Sequence, residues 1–192
     1  LKVLEEPPAN VHFLLGTTSE FPVLSTVRSR AKRLDLFSFS EGEIEAHLRE
    51  RYPNRPDVRE IAALSGGVLG KAEELAEGGP LTGAGEEAAQ LLAQLSPAGV
   101  PGAVRKFSDR AKATQFLALL RLVLRDALML RLGREDLAAS GGESVRRVAA
   151  RYSAAALVRA EERAARAERD LKFNANLAMS LESLFIAILE ER

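Results

Sequence analysis

Cysteine is absent from the 192 residues, which excludes a disulfide framework, a thiolate nucleophile and a Cys-based zinc site. The absence suits a reducing compartment, and a cytoplasmic location is the expectation. Net charge is lacking too: Lys plus Arg and Asp plus Glu stand at 27 each. A neutral chain gives no support for a generic basic binder whose affinity for nucleic acid comes from counterion release. No run of about 18 apolar residues occurs, so no membrane-spanning helix is expected. Solenoid-type repeats are missing. The only two histidines, His12 and His47, fall in different expected elements with no clustered carboxylates beside them, so no metal site is expected. His12, beside an expected buried strand, reads as a packed or hydrogen-bonded residue. No Ser/His/Asp set or carboxylate pair stands out, which leaves independent hydrolytic chemistry without a basis.

What is present is a globular composition, 46% hydrophobic and 28% charged, in a chain long enough for one large or two small domains. Leu1 to Glu6 reads as a helix end stopped by Pro7-Pro8, because the residue before a proline is pushed out of the helical region. The opening Leu-Lys-Val-Leu, in mid-helix register, is expected to belong to a fragment. Val11-His-Phe-Leu-Leu15 is a nearly continuous apolar run, the pattern of a strand buried on both faces of a parallel sheet. Gly16-Thr-Thr-Ser19 ends it with small polar residues, where α/β ligand sites sit. Leu34-Asp-Leu-Phe-Ser-Phe39 alternates and reads as a second strand.

After Ser40 the period becomes helical. Ser40-Glu-Gly-Glu43 has the form of a capping box, and Ile44, Leu48 and Tyr52 follow on one helical face. A second helix is expected from Asp57, and Gly66-Gly67 separates it from a third over about 69–77. The stretch from Gly78 to Gly85 reads as a linker with little to bury. Beyond it the pattern is helical throughout. Phe116 to Leu132 is apolar nearly all round and should lie at the centre of a bundle, with Gly133 as its stop. Gly141-Gly142 is a break, and Ala154 to Lys172 is a strong intrinsic helix. Leu177, Leu181, Leu184, Phe185 and Ile188 form an apolar stripe that Ile186 and Leu189 widen. That width predicts burial on more than one side, by the bundle or by a partner subunit. One bent helix or two would both fit residues 172–176.

Several motifs admit a plain and a functional reading. Arg30, in Thr26-Val-Arg-Ser-Arg30, sits where an arginine at a helix end could reach a neighbouring subunit's γ-phosphate and stabilise charge developing in phosphoryl transfer. From spacing alone, a solvated basic cluster of Arg28, Arg30, Lys32 and Arg33 is the simpler reading. Gly66-Gly-Val-Leu-Gly-Lys71 is not a phosphate loop: three residues separate Gly66 from Gly70 where four are needed, and Ala72 replaces the Ser or Thr. It is expected to be a helix–helix turn. Arg125-Asp126 reads as an ion pair at the edge of a core. The Arg-rich segment from Arg159 to Arg169 carries interleaved Glu and reads as a solvated face with i,i+4 pairs.

Leu4-Glu-Glu-Pro-Pro8, Phe13-Leu-Leu-Gly-Thr-Thr18 and Ser29-Arg30 together resemble the bacterial DNA polymerase III clamp-loader subunits of the AAA+ class. In that family a Leu-Glu-Glu-Pro-Pro helix follows the Walker B strand, the next strand ends in the sensor 1 residue, and a Ser-Arg-Cys motif follows. Thr18 precedes Ser29 by eleven positions, so the resemblance puts Thr18 at sensor 1 and Arg30, next to Ser29, at the arginine finger. Ala31 stands where the family has Cys, a change that small-residue packing tolerates. In motor subunits the third lid helix carries Gly-x-x-Arg, the sensor 2 arginine. Here Gly70 holds that position, and Lys71 is turned away from it by about 100° along a helix.

An arginine finger without sensor 2 resembles the delta prime type, and Leu124 to Gly133 and Asn174 to Glu182 are similar to its collar domain. The resemblance therefore implies a mostly α chain in three parts: the C-terminal part of a RecA-like AAA+ domain (1–38, a short α/β remnant), a three-helix lid (39–79) and a helical collar bundle (82–192). It further implies a five-subunit ring with gamma/tau and delta that opens the β sliding clamp and loads it on primed DNA within the DNA polymerase III holoenzyme. Arg30 would act in trans on ATP bound to the adjacent gamma subunit, with Thr18 a vestigial or weakly used sensor. The chain itself, without phosphate loop or metal-binding acidic strand, is expected neither to bind ATP tightly nor to hydrolyse it, so it would carry no cofactor of its own. The alternatives are a gamma/tau ATPase subunit, another AAA+ class, or a helical interaction module with incidental N-terminal similarity.

Overall fold

A computed structural model describes residues 2–17, 19–78, 81 and 83–191. The fold is mostly α-helical, with no strand among the described residues. The chain divides into two compact units, Leu1–Phe37 and Ser38–Arg192.

The first unit holds two four-residue helices, α1 (Lys2–Glu5) and α2 (Ser25–Arg28). α1 ends before Pro7-Pro8, as expected. Neither expected strand forms. Residues 11–15 and 34–39 are irregular, with Leu14 and Phe37 almost fully exposed. A strand exists only through the ladder it makes with a neighbour. Among the described residues neither apolar run has such a partner, so hydrophobic pattern alone does not produce a sheet. His12 is exposed with them, rather than packed.

The second unit opens with α3 (Glu41–Arg51), α4 (Val58–Ser65) and α5 (Leu69–Glu77). The capping box is complete: the Glu43 N–H donates to Ser40 Oγ (3.3 Å), and the Ser40 N–H donates to Glu43 Oε2 (2.8 Å). The Ser40 N–H and, at 2.7 Å, the Ser40 hydroxyl both donate to Glu43 Oε2, and these two bonds hold the Glu43 carboxyl below its ordinary pKa. Ile44 and Leu48 are buried with Val58, Ile61, Ala72 and Ala76 in one core. Leu81 joins them at 5% exposure, so the expected linker does bury something there. Residues 79, 80 and 82 lie outside the described set.

Two glycines make the α4–α5 turn in left-handed conformations, Gly66 (φ 61°) and Gly67 (φ 79°). A Cβ on Gly67 would come within 2.5 Å of the Phe39 carbonyl oxygen and 2.7 Å of Ser38 Cβ. That close approach lets the Phe39 N–H donate to the Gly67 carbonyl at 2.9 Å. Gly67→Ala is expected to destabilise by about 2 kcal/mol or more, whereas Gly70→Ala, in open space on a helix, should be neutral or stabilising by up to ~1 kcal/mol. Urea unfolding midpoints of the two variants test this ordering; equal midpoints would overturn it.

The remaining helices are α6 (Ala84–Gln94), α7 (Val100–Arg105), α8 (Arg110–Arg131), α9 (Glu143–Arg151), α10 (Ala154–Lys172) and α11 (Leu177–Glu190). α8 is the central one, packed against α6, α9 and α10. Asn174 (φ 61°) separates α10 from α11, and Asn176 Oδ1 accepts the Met179 N–H at 3.1 Å to start α11. Two helices therefore follow Ala154, not one bent one. On α11 the stripe buries Leu181, Leu184, Phe185 and Ile188, while Ile186 stays 44% exposed.

Three arginines do work that no local pattern announced: each supplies N–H donors to the orphan carbonyls at a distant helix end. Arg55 donates to the carbonyls of Ala76 (2.5 Å) and Gly78 (3.0 Å) at the end of α5. Arg110 donates to Leu171 (2.6 Å) and Ala175 (3.0 Å) after α10. Arg151 donates to the carbonyls of Leu92, Ala93 and Leu95 at the end of α6.

The Arg-rich face of α10 is also used differently from expectation. Arg159 and Arg163 both pair with Glu191 (2.5 and 3.0 Å), and Glu161 and Glu168 both take Arg121 of α8 (2.7 and 2.9 Å). The i,i+4 pair Lys172–Glu168 forms at 3.0 Å, reaching past the Arg159 to Arg169 segment in which such pairs were expected. Long side chains on a packed helix reach the neighbouring helix as readily as the next turn of their own.

Candidate functional site

Within the first unit the site expected around Ser29 and Arg30 is assembled by α2. Ser29 is its C-cap, in right-handed conformation, with its N–H donating to the Ser25 carbonyl at 3.0 Å. The Ser29 hydroxyl donates to the Thr26 carbonyl at 3.2 Å. Arg30 then folds back over the same helix end. Its Nη1 donates to the Thr26 carbonyl (2.9 Å) and to Ser29 Oγ (3.2 Å), and its Nη2 pairs with Glu5 Oε1 of α1. Ser29 is thus part of the seat of Arg30, and α1 supplies the counter-charge. The Arg30 side chain remains 36% exposed.

The basic cluster is not uniform. Arg33 pairs with Glu20 (2.9 Å) and Asp35 (2.7 Å), which raise its pKa, the hydrogen bond to Asp35 most strongly. Arg28 and Lys32 have no ion pair among the described residues. All four of Arg28, Arg30, Lys32 and Arg33 are exposed, as the plain reading of a solvated cluster expects, but Arg30 and Arg33 are each paired with carboxylates within the first unit. Thr18, the expected sensor position, lies outside the described residues. Next to it, Thr17 Oγ1 donates to the Ser19 carbonyl at 2.6 Å, and Ser19 Oγ accepts the Phe21 N–H at 3.3 Å, so polar side chains set this loop.

In the second unit, Gly70 is the second residue of α5, exposed, with nothing within 4 Å of where a Cβ would stand. Lys71 does not take over that position: its Nζ donates to the Leu64 carbonyl at 2.7 Å, at the end of α4. His47 Nε2 lies 3.1 Å from Glu73 Oε1, which also pairs with Arg51 at 3.2 Å. No group of three or more metal-ligating side chains occurs among the described residues. None of the helices described is long and apolar enough to cross a membrane.

A cleft of about 150 Å³ lies between α4 and α8, lined by Asp57, Glu60, Leu81, Glu86, Leu122 and Asp126. Its carboxylates make it unsuited to a phosphate, and three of them are already engaged. Arg55 Nε binds Asp57 Oδ1 at 2.8 Å, and the Ser144 hydroxyl donates to Glu86. Asp126, fully buried, accepts the N–H groups of Ala139 (3.1 Å) and Ser140 (2.7 Å). Arg125 lies 3.4 Å from Asp126 and 2.6 Å from Glu41, so the expected pair also ties α8 to the first turn of α3. Burial pushes the carboxyls of Asp126 and Glu60 above the ordinary range.

A family model described as "DNA polymerase III, delta subunit" matches residues 1–40. The match supports a clamp-loader-type subunit of DNA polymerase III. It spans the segment holding Leu4 to Pro8, Phe13 to Thr18 and Ser29-Arg30, and leaves residues 41–192 unmatched. No curated protein matches the chain.

Proposed function

We propose that this chain acts as a delta-prime-type subunit of the DNA polymerase III clamp loader, assembling with gamma/tau and delta in the cytoplasm to place the β sliding clamp on primed DNA. The observation that carries the reading is the polymerase III match over the segment in which Arg30 is seated on the end of α2. Arg30 serves as an arginine finger for ATP bound by the neighbouring gamma subunit, with Ser29 helping to hold it and Thr18 a vestigial sensor. ATP is the neighbour's cofactor, not this chain's. Gly70 favours delta prime over gamma/tau, since the lid position that would contact bound nucleotide has no side chain and Lys71 is occupied elsewhere. The parts proposed are the end of an AAA+ domain (1–38), the lid (39–79) and the collar (82–192).

Assembly tests this reading. The full-length protein, mixed with gamma and delta, is expected to co-elute as a five-subunit complex that stimulates clamp loading. Self-assembly into a hexamer without them would favour another AAA+ class and sink the proposal.

A further inference from the structure

The salt bridge between Arg30 and Glu5 is where the structure goes past what the motifs suggest. A guanidinium carries five N–H donors in a fixed fork. Both donors of Arg30 Nη1 are committed to α2 itself, to the Thr26 carbonyl and Ser29 Oγ. These two bonds are made by a backbone group and a neighbouring hydroxyl on the same helix end, so they fix where the guanidinium sits. Nη2 is treated differently: it faces the Glu5 carboxylate, an anion delivered from the separate helix α1. The Arg30 and Glu5 side chains are 36% and 42% exposed, so an incoming oxyanion can approach this pair.

We propose that Glu5 is a competing counter-ion that holds Arg30 in standby, and that a phosphate oxygen from the neighbouring subunit must displace it. The inference rests on the proposed role of Arg30 as an arginine finger. Thr26 and Ser29 position the guanidinium in both states; Glu5 is exchanged for the phosphate. Two anions sharing one edge of a guanidinium repel each other, so the Glu5 carboxylate opposes transfer of Nη2 for as long as it stays. The arrangement makes α1 a control element: any movement that draws Leu4-Glu5-Glu6 away from α2 releases the finger. No bond is made or broken in this step beyond the exchange of one hydrogen-bond acceptor for another.

The test uses the full-length protein in the assembled complex, with ATP hydrolysis measured without clamp or DNA. Glu5→Gln keeps the shape of the side chain and removes its charge. At the single site Arg30 serves it is expected to raise kcat roughly two- to fivefold, the range an exposed ion pair is worth, so the rate of the whole complex rises by less, while KM for ATP stays put. KM holds because the finger transfers as charge develops on the γ-phosphate. Glu6→Gln, the adjacent exposed carboxylate, should leave the rate at its starting value. A Glu5→Gln rate equal to or below that of the unmodified complex, with the complex still intact on a sizing column, overturns the proposal. A merely structural Glu5 would give that lower rate. If Arg30→Ala also leaves hydrolysis unchanged, the finger assignment falls; if Arg30→Ala is defective and Glu5→Gln is silent, only the standby role falls.

Discussion

In the proposed role of Arg30 as an arginine finger, Arg30→Ala in the full-length protein is expected to slow ATP hydrolysis at a single site by about 10³-fold, the scale on which arginine fingers act. The loss arises because a guanidinium placed at the γ-phosphate stabilises charge that appears only in the transition state. Arg30 would serve a single interface of the ring. The DNA-stimulated rate of the whole complex should therefore fall to what the other sites contribute, not to zero. Arg30→Lys should recover little. A lysine ammonium keeps the charge but lacks the fork that lets one nitrogen stay on Thr26 and Ser29 while the other reaches out. The fold should be nearly untouched, because the Glu5 pair is exposed and such pairs contribute about 1 kcal/mol or less. Steady-state hydrolysis of the purified complex, with and without primed DNA, is the measurement. An unchanged DNA-stimulated rate for Arg30→Ala would mean that the first forty residues do not serve a neighbour's nucleotide.

Asp57→Ala is expected to be the most destabilising single change outside the central bundle, by about 3–5 kcal/mol. Asp57 is 3% exposed. Its carboxylate takes Arg55 Nε at 2.8 Å on one oxygen and the Leu81 N–H at 2.6 Å on the other. Removing it leaves the Leu81 amide without that acceptor and takes the nearest counter-charge from Arg55, which caps the end of α5. One carboxylate therefore ties the start of α4, the end of α5 and buried Leu81 together. The pH dependence carries the same signature. Burial by itself would raise the Asp57 carboxyl, but the Arg55 and Leu81 hydrogen bonds win and hold it below its ordinary value.

A group depressed on folding contributes stability that is present above its unfolded pKa, about 3.9, and is lost as pH falls through the lower folded value. The gap between wild type and Asp57→Ala should thus be widest near neutrality and narrow below about pH 4. Asp126 has the opposite sign. Burial raises its pKa, so its contribution is greatest below the unfolded value and is lost as pH rises through the folded one. Comparing the variant with wild type at each pH cancels Asp126. Urea unfolding at pH 7 and pH 3.5 gives the answer; a gap under about 1 kcal/mol at pH 7 would show that the Arg55–Asp57 pair is dispensable.

Features written into adjacent residues were legible in the chain. The capping box at Ser40 and Glu43, the Gly66-Gly67 turn, the short helix over Leu69–Glu77 and the long helix over Ala154–Lys172 all stand where local chemistry put them. A cap, a left-handed turn and a run of Ala, Arg and Glu each involve residues within four positions of one another, so the causes and effects lie side by side. The Ser29-Arg30 motif was recognisable only through the family resemblance, since its spacing alone reads as a solvated basic cluster. Its geometry was not legible. That Glu5, twenty-five positions earlier, supplies the counter-charge has no signature in either segment.

The strands mark the limit from the other side. Residues 11–15 and 34–39 have the apolar patterns of strands, yet a strand is a property of a pair, and no pairing forms among the described residues. Leu81 lay in a Gly- and Pro-rich stretch and is buried because Asp57 receives its amide. By itself the sequence determined that this chain is mostly helical, where α1 ends, where α3 begins and where α5 and α10 run, and its first forty residues resemble a clamp-loader subunit. Only the tertiary structure decided what the arginines do: Arg55, Arg110 and Arg151 close distant helix ends, and Arg30 rests against Glu5. A guanidinium on a long flexible stem can serve any acceptor within its reach, and only the packing of the helices says which carbonyls and carboxylates come within it.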